Sequence, residues 1–200
     1  MKEIDKIDNE LQKTKEDLAK KIERIMTEEQ LGKLFCDNFI PATSKVFRKF
    51  SHNLNLDREW NYYTGTDMDV VEITADNTII SYELKGYRKF KGNPEPPGLY
   101  EGFDQALNYL NLPYVFNKST ETLFNGGVPD YVYLVHARQN AEFQDYEQRV
   151  FSVTPIGFII ATPNNEFHKV HEAKQNPIQS QEAKRHFLDN LNSLSKFLMR

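Results

Sequence analysis

The stretch that most limits the fold runs from Asp69 to Lys85. Val70-Val71-Glu72-Ile73 and Thr78 to Leu84 are rich in β-branched and aromatic residues, and Asp76-Asn77 supplies a turn between them. Two such runs, so closely joined, predict a β-hairpin. Side chains alternate along a strand, so Ile80, Tyr82 and Leu84 share one face while Ser81, Glu83 and Lys85 share the other. The first set has the character of a core face. The second places an acid and a base at the end of an otherwise apolar strand, where ionisable groups are costly to bury unless paired or bound to metal. Asp69 opens the first strand, and a hairpin register brings it beside Glu83.

The rest of the chain arranges itself around this hairpin. Ile4, Leu11, Leu18 and Ile25 recur every seven residues, with Ile7 and Ile22 beside that line and mostly charged residues between. The spacing predicts a helix over 1–26 with a narrow coiled-coil stripe, interrupted at Thr14 and Lys21, that either pairs with its copy in a homodimer or lies on the body of the domain. Thr27 and Gln30 form a capping pattern for a second helix whose apolar face is Leu31, Leu34, Phe35 and Phe39, stopped by Pro41. Gly86 to Gly98 reads as a basic, proline-rich loop. Residues 99–110 read as a helix with Leu99, Phe103, Ala106, Leu107 and Leu110 on one side. Strands are expected at Tyr131–His136, Val150–Val153 and Gly157–Ala161, with a turn at Pro163-Asn164-Asn165 and a partner strand at Phe167–Val170. Gln181–Leu198 reads as a closing helix with Phe187, Leu188, Leu191, Leu194 and Phe197 on one face. This order predicts an α/β fold: a mixed central β-sheet flanked by helices over 27–176, an N-terminal helical extension at 1–26, and a C-terminal helix at 177–200 packed on the core.

Formal net charge is −4, so the chain has no bulk positive field, and any contact with nucleic acid must come from a local basic patch. The single cysteine, Cys36, rules out an internal disulfide and sits in an apolar helical stretch, as a small buried hydrophobe would. No apolar run approaches the roughly 20 residues of a membrane helix. Met1 to Lys21 lacks the apolar centre of a signal peptide. These features lead us to expect a cytoplasmic protein with no membrane partner.

Two carboxylates side by side repel each other, and a divalent cation relieves that repulsion. Mg²⁺ takes hard oxygen ligands, usually one or two carboxylates plus water and substrate phosphate. Such a metal polarises a phosphate and activates water, while a neighbouring ammonium orients that water and stabilises developing charge. This is equipment for hydrolysing a phosphodiester. Glu-x-Lys occurs three times, at Glu83, Glu172 and Glu182, but only the first follows an apolar strand with an Asp ahead of it. Asp67 competes with Asp69 as the metal ligand. Directly after Lys85, Arg88, Lys89 and Lys91 interleave with Tyr87 and Phe90, a pattern able to hold phosphates and stack on an unpaired base. Lys45, Arg48 and Lys49 form a second basic cluster. The five histidines, His52, His136, His168, His171 and His186, show no zinc-like spacing with cysteine. The tyrosines and phenylalanines of 100–133 read as core.

Asp69 with its apolar run, then Glu83-Leu84-Lys85 fourteen residues on, resembles the PD-(D/E)xK nuclease superfamily, which includes restriction endonucleases, archaeal Holliday-junction resolvases and lambda-type exonucleases. The resemblance covers about residues 27–172. It implies a restriction-endonuclease-like core: a helix, a hairpin carrying the acids, a helix and another strand. Glu28 sits where many members carry an acid on the first helix. Gln105, in Phe103-Asp104-Gln105-Ala106-Leu107, resembles a glutamine common in the second. Asp130 to Val135 resembles the following strand, and Pro155 to Ile160 a later one. Met68 stands where the family usually has proline. The resemblance implies a Mg²⁺- or Mn²⁺-dependent deoxyribonuclease. In it Asp69, Glu83 and Glu28 hold the metal, with the Leu84 carbonyl as a further ligand. Lys85 positions the attacking water; Gln105 would then join the basic patch of Arg88, Lys89 and Lys91, read above from the residues themselves, as the expected DNA contacts. Products carry 5′-phosphate. The alternative is a non-catalytic, nucleic-acid-binding or dimeric adaptor on the same fold.

Overall fold

The structure, a computed structural model, describes residues 25–50, 54–55, 60–63, 67–112, 114–117, 119–120, 122–124, 126–191 and 198–199. The heptad stripe falls almost wholly on residues 1–24, outside the described residues.

The expected hairpin is present as β4 (Met68–Ile73) and β5 (Ile79–Lys85), antiparallel with Ile73 opposite Ile79 and Val70 opposite Tyr82. Its turn is closed by Thr74 N–H donating to the Thr78 carbonyl (3.0 Å), with Asn77 in the left-handed region at φ 62°, which asparagine tolerates. These strands sit inside a six-stranded mixed sheet. The order is β1 (Lys45–Phe50), β4, β5, β10 (Tyr131–Ala137), β11 (Gly157–Ala161), β12 (Phe167–His171). β1, β4 and β5 form an antiparallel meander, β10 runs parallel to β5, β11 runs parallel to β10, and β12 returns antiparallel. A separate four-stranded sheet joins β2 (Leu54–Asn55), β3 (Trp60–Tyr63), β8 (Tyr114–Asn117) and β9 (Thr122–Leu123).

Helices cover both faces of the central sheet. α1 (Glu28–Asn38) starts at the expected box: Thr27 Oγ1 accepts from Gln30 N–H while the Gln30 side chain accepts from Thr27 N–H. It buries Leu31, Phe35 and Cys36 against Tyr82, Leu84, Val135 and Ile159. On the opposite face α2 (Phe103–Tyr109) and α4 (Gln181–Asp189) bring Ala106, Tyr109, Ala183 and Phe187 onto Val71, Ile79, Val132, Leu134 and Phe158. No described helix is long and apolar enough to cross a membrane.

Several expectations are corrected. Val150–Val153 is not a strand. It lies at the end of α3 (Asp145–Ser152), where a Gln144–Glu147 capping box starts a helix that drives Phe151 into the core. Short apolar runs fit either element until their partners are known. The Gly86–Gly98 segment is not all loop. It contains a hairpin of β6 (Arg88–Phe90) and β7 (Asn93–Glu95), turned by Lys91 and Gly92 at φ 48° and 84°, the pair of positive φ values that a tight hairpin turn requires. The helix expected over 99–110 begins only at Phe103, because Gly102 at φ 79° breaks the helical path, and Leu107 faces solvent. Tyr100 is 64% exposed rather than core. The closing helix ends at Asp189, and residues 192–197 lie outside the described set. Leu198 instead forms a bridge with Phe47, and Met199 N–H donates to the Val46 carbonyl (2.8 Å), covering the outer edge of β1.

Candidate active site

The site forms where the β4–β5 ladder opens. The last paired residues are Val70 and Tyr82, and one further step of the same register sets Asp69 opposite Glu83. There the ladder bond is replaced by a side chain: Asp69 Oδ2 accepts from the Leu84 N–H at 2.8 Å. In this register the two carboxyls are close enough for the Glu83 charge to disfavour ionisation of Asp69. Glu83 is 1% exposed. Its Oε2 meets the Tyr109 hydroxyl, which also lies 2.9 Å from the Asp67 carbonyl. Lys85 Nζ stands 2.6 Å from Glu83 Oε1. That contact is an ion pair that falls outside hydrogen-bond angles, so Oε1 is buried without a hydrogen bond. On its other side Lys85 faces Glu28 Oε2 at 3.8 Å.

The start of α2 clamps this group. Gly102 leaves no room for a side chain: a Cβ there would fall 2.7 Å from Lys85 Cε and 3.1 Å from Glu83 Cγ. The turn carrying Gly102 is tied down by His136, the β10 residue opposite Lys85, whose Nε2 lies 2.9 Å from the Glu101 carbonyl. Burial drives the His136 pKa down to about 3, so the ring is neutral and Nε2 is the nitrogen that carries the proton toward that carbonyl.

The electrostatics are those of excess acid. Burial, and next the Glu83 charge, push the Asp69 carboxyl up to about 7, against the Leu84 N–H and Lys85. Burial also raises Glu83, opposed by Lys85 and Tyr109, and raises Glu28, opposed by Lys85. For Lys85 burial works downward, but Glu83, Glu28 and Asp69 outweigh it and the ammonium is held above its ordinary range. One lysine therefore faces three acids, and two of these, Asp69 and Glu83, lie side by side. Among the described residues no three His, Cys, Asp or Glu side chains converge as a ready cage. The two-carboxylate set nevertheless fits Mg²⁺ or Mn²⁺, which keeps waters and takes substrate phosphate oxygens as remaining ligands. A hard cation beside Asp69 and Glu83 would relieve the repulsion that raises the Asp69 carboxyl, and Glu83 Oε1 has only the Lys85 ammonium against it.

Not every expected residue joins this group. Asp69, Glu83 and Lys85 are brought together, and Glu28 meets them through Lys85. Asp67 contributes its backbone carbonyl to Tyr109, with its side chain on the exposed end of β4. Gln105 is half-buried on α2, and no described hydrogen bond links it to the acids. Arg88, Lys89 and Lys91 are exposed on β6–β7, Arg88 pairing with Glu101 at 3.3 Å. Tyr87, expected to interleave with them, is buried. Sequence reasoning misses Tyr109 and His136. Both read as ordinary members of apolar segments, and only the packing of α2 over β5 and β10 gives them a partner. No protein-family model, curated protein or solved structure matches this chain.

Proposed function

We propose that this chain is a metal-dependent nuclease of the PD-(D/E)xK type, with a restriction-endonuclease-like core, that hydrolyses phosphodiester bonds in DNA. The observation that carries this reading is the meeting of Asp69, Glu83 and Lys85 where the central hairpin opens. Buried acids with a paired ammonium contribute little to a fold, because desolvation offsets their attraction. The order α1, β4–β5, α2, β10 is the one the sequence resemblance implies, and it supports the same reading.

A divalent cation held by Asp69 and Glu83 would polarise a phosphate oxygen and lower the pKa of a water molecule. The chain's own groups do the rest. Tyr109 fixes one oxygen of Glu83, so the carboxylate keeps its orientation. Asp69, held by the Leu84 N–H, gives up its proton as the site takes positive charge. Lys85 stays an ammonium at neutral pH, and its hydrogen bonds can position the oxygen of an attacking water and stabilise the charge growing on the phosphate, while it takes no proton itself. Arg88, Lys89 and Lys91 supply the local positive surface that a chain of net charge −4 needs to meet DNA.

The test is incubation with Mg²⁺ or Mn²⁺ and labelled supercoiled, linear, single-stranded, flapped and four-way DNAs. We expect cutting that EDTA abolishes and products that carry 5′-phosphate. Absence of cutting on all of these, and on RNA, with either metal would overturn the proposal.

A further inference from the structure

A second group of charges stands beside the acids, on the α1 side of the site. An unbroken strand sends neighbouring residues to opposite faces. Arg48 and Lys49 break that rule, because Lys49 takes a left-handed φ of 49° and both side chains reach Glu29, at 3.4 Å and 2.9 Å. Strained backbone of this kind in a non-glycine residue gathers at ligand clamps. The Arg48 guanidinium lies against the α1 backbone at Gly32, where a Cβ would fall 2.2 Å from Nη2 and 2.7 Å from Cζ. The absent side chain makes the slot for it. The arginine is only 14% exposed, yet its buried Nε has no hydrogen-bond partner among the described residues. Glu29, by contrast, is 66% exposed and takes Nη1 at long range. A buried guanidinium is normally satisfied, and this one is held in place with its fork underused. Both cations line a cleft of about 350 Å³ whose wall also includes Asp69 and Glu28.

We infer that Arg48 and Lys49 form a seat for a second backbone phosphate of the nucleic acid, beside the one that is cut, and that Glu29 is the counter-ion this phosphate displaces. The inference rests on the nuclease reading for its substrate. A planar fork and a compact ammonium on one wall suit a tetrahedral anion with several acceptor oxygens. The exposed Glu29 shields the pair while the cleft is empty.

The test is binding of a short fluorescein-labelled DNA, followed by anisotropy in EDTA, so that no cutting is needed. Arg48→Gln and Lys49→Gln should each weaken binding about tenfold, and each should make the dependence of log K on log salt shallower by about one unit. Glu29→Gln should act in the opposite direction and tighten binding several-fold. Glu29 and Lys49 are exposed, so their variants decide the matter even if Arg48→Gln unfolds. A methylphosphonate walked along the DNA should cost the wild type affinity at one position and cost Lys49→Gln little there. Unchanged affinity in Lys49→Gln together with no gain in Glu29→Gln would overturn the seat, as would failure of the wild type to bind DNA at low salt. Cutting that persists while these variants bind normally refutes the seat alone. Binding that responds as stated while nothing is cut refutes the nuclease alone.

Discussion

Replacing Asp69 by Asn should make the metal-free protein more stable at alkaline pH. The Asn amide keeps the acceptor for the Leu84 N–H and offers a neutral donor toward Glu83, so it mimics the protonated acid. The magnitude follows from the shift. A carboxyl moved from 3.8 to about 7 is displaced by roughly three units. At about 1.4 kcal/mol per unit this is ~4 kcal/mol at most. Its sign is fixed by linkage. Between these two values the folded state holds a proton that the unfolded state has released, so wild-type stability falls as pH rises through the window and is lowest above 7. Urea unfolding in EDTA from pH 4 to 8.5 should show Asp69→Asn and wild type nearly equal at the acid end, with the variant ahead by up to ~4 kcal/mol at the alkaline end. Mg²⁺ should close that gap by stabilising the wild type alone. A gap that does not change with pH, or a variant that is weaker at pH 8.5, would refute the reasoning.

Two further perturbations separate the site from the scaffold. Tyr109→Phe removes the hydroxyl that orients Glu83 Oε2 and should weaken Mn²⁺ binding by roughly 10- to 100-fold in calorimetry, the usual effect of losing a group that orients a metal ligand. Asp130→Ala should leave metal binding alone but lower stability by about 3 kcal/mol in urea. Asp130 accepts from the Ile79 N–H at 2.7 Å and pairs with Lys184 at 2.6 Å, so truncation strands a half-buried ammonium and a backbone donor.

The hairpin and its acids are legible in the sequence because period-two alternation sets both the strand face and the register. Asp69 and Glu83 follow from Val70 facing Tyr82. The helix at Glu28–Asn38 is legible from its capping residues. β1 is not, because Lys45-Val46-Phe47-Arg48-Lys49-Phe50 mixes charges with apolar residues that the fold buries on both faces, Val46 toward α1 and Phe47 toward α2 and α4. α3 reads as a strand because Val150-Phe151 is too short to show a period. Tyr109, His136 and the Arg48 slot at Gly32 depend on which elements pack together, and no local pattern encodes that.

The central claim is that chemistry happens at Lys85 and its two acids. Single-turnover cleavage of the preferred DNA, with saturating Mn²⁺ and enzyme in excess, compares wild type with Lys85→Ala at a temperature where both give the same folded circular dichroism. A fall of at least about a hundredfold in rate with DNA affinity retained is the expected result. Cutting by Lys85→Ala at the wild-type rate would contradict the account.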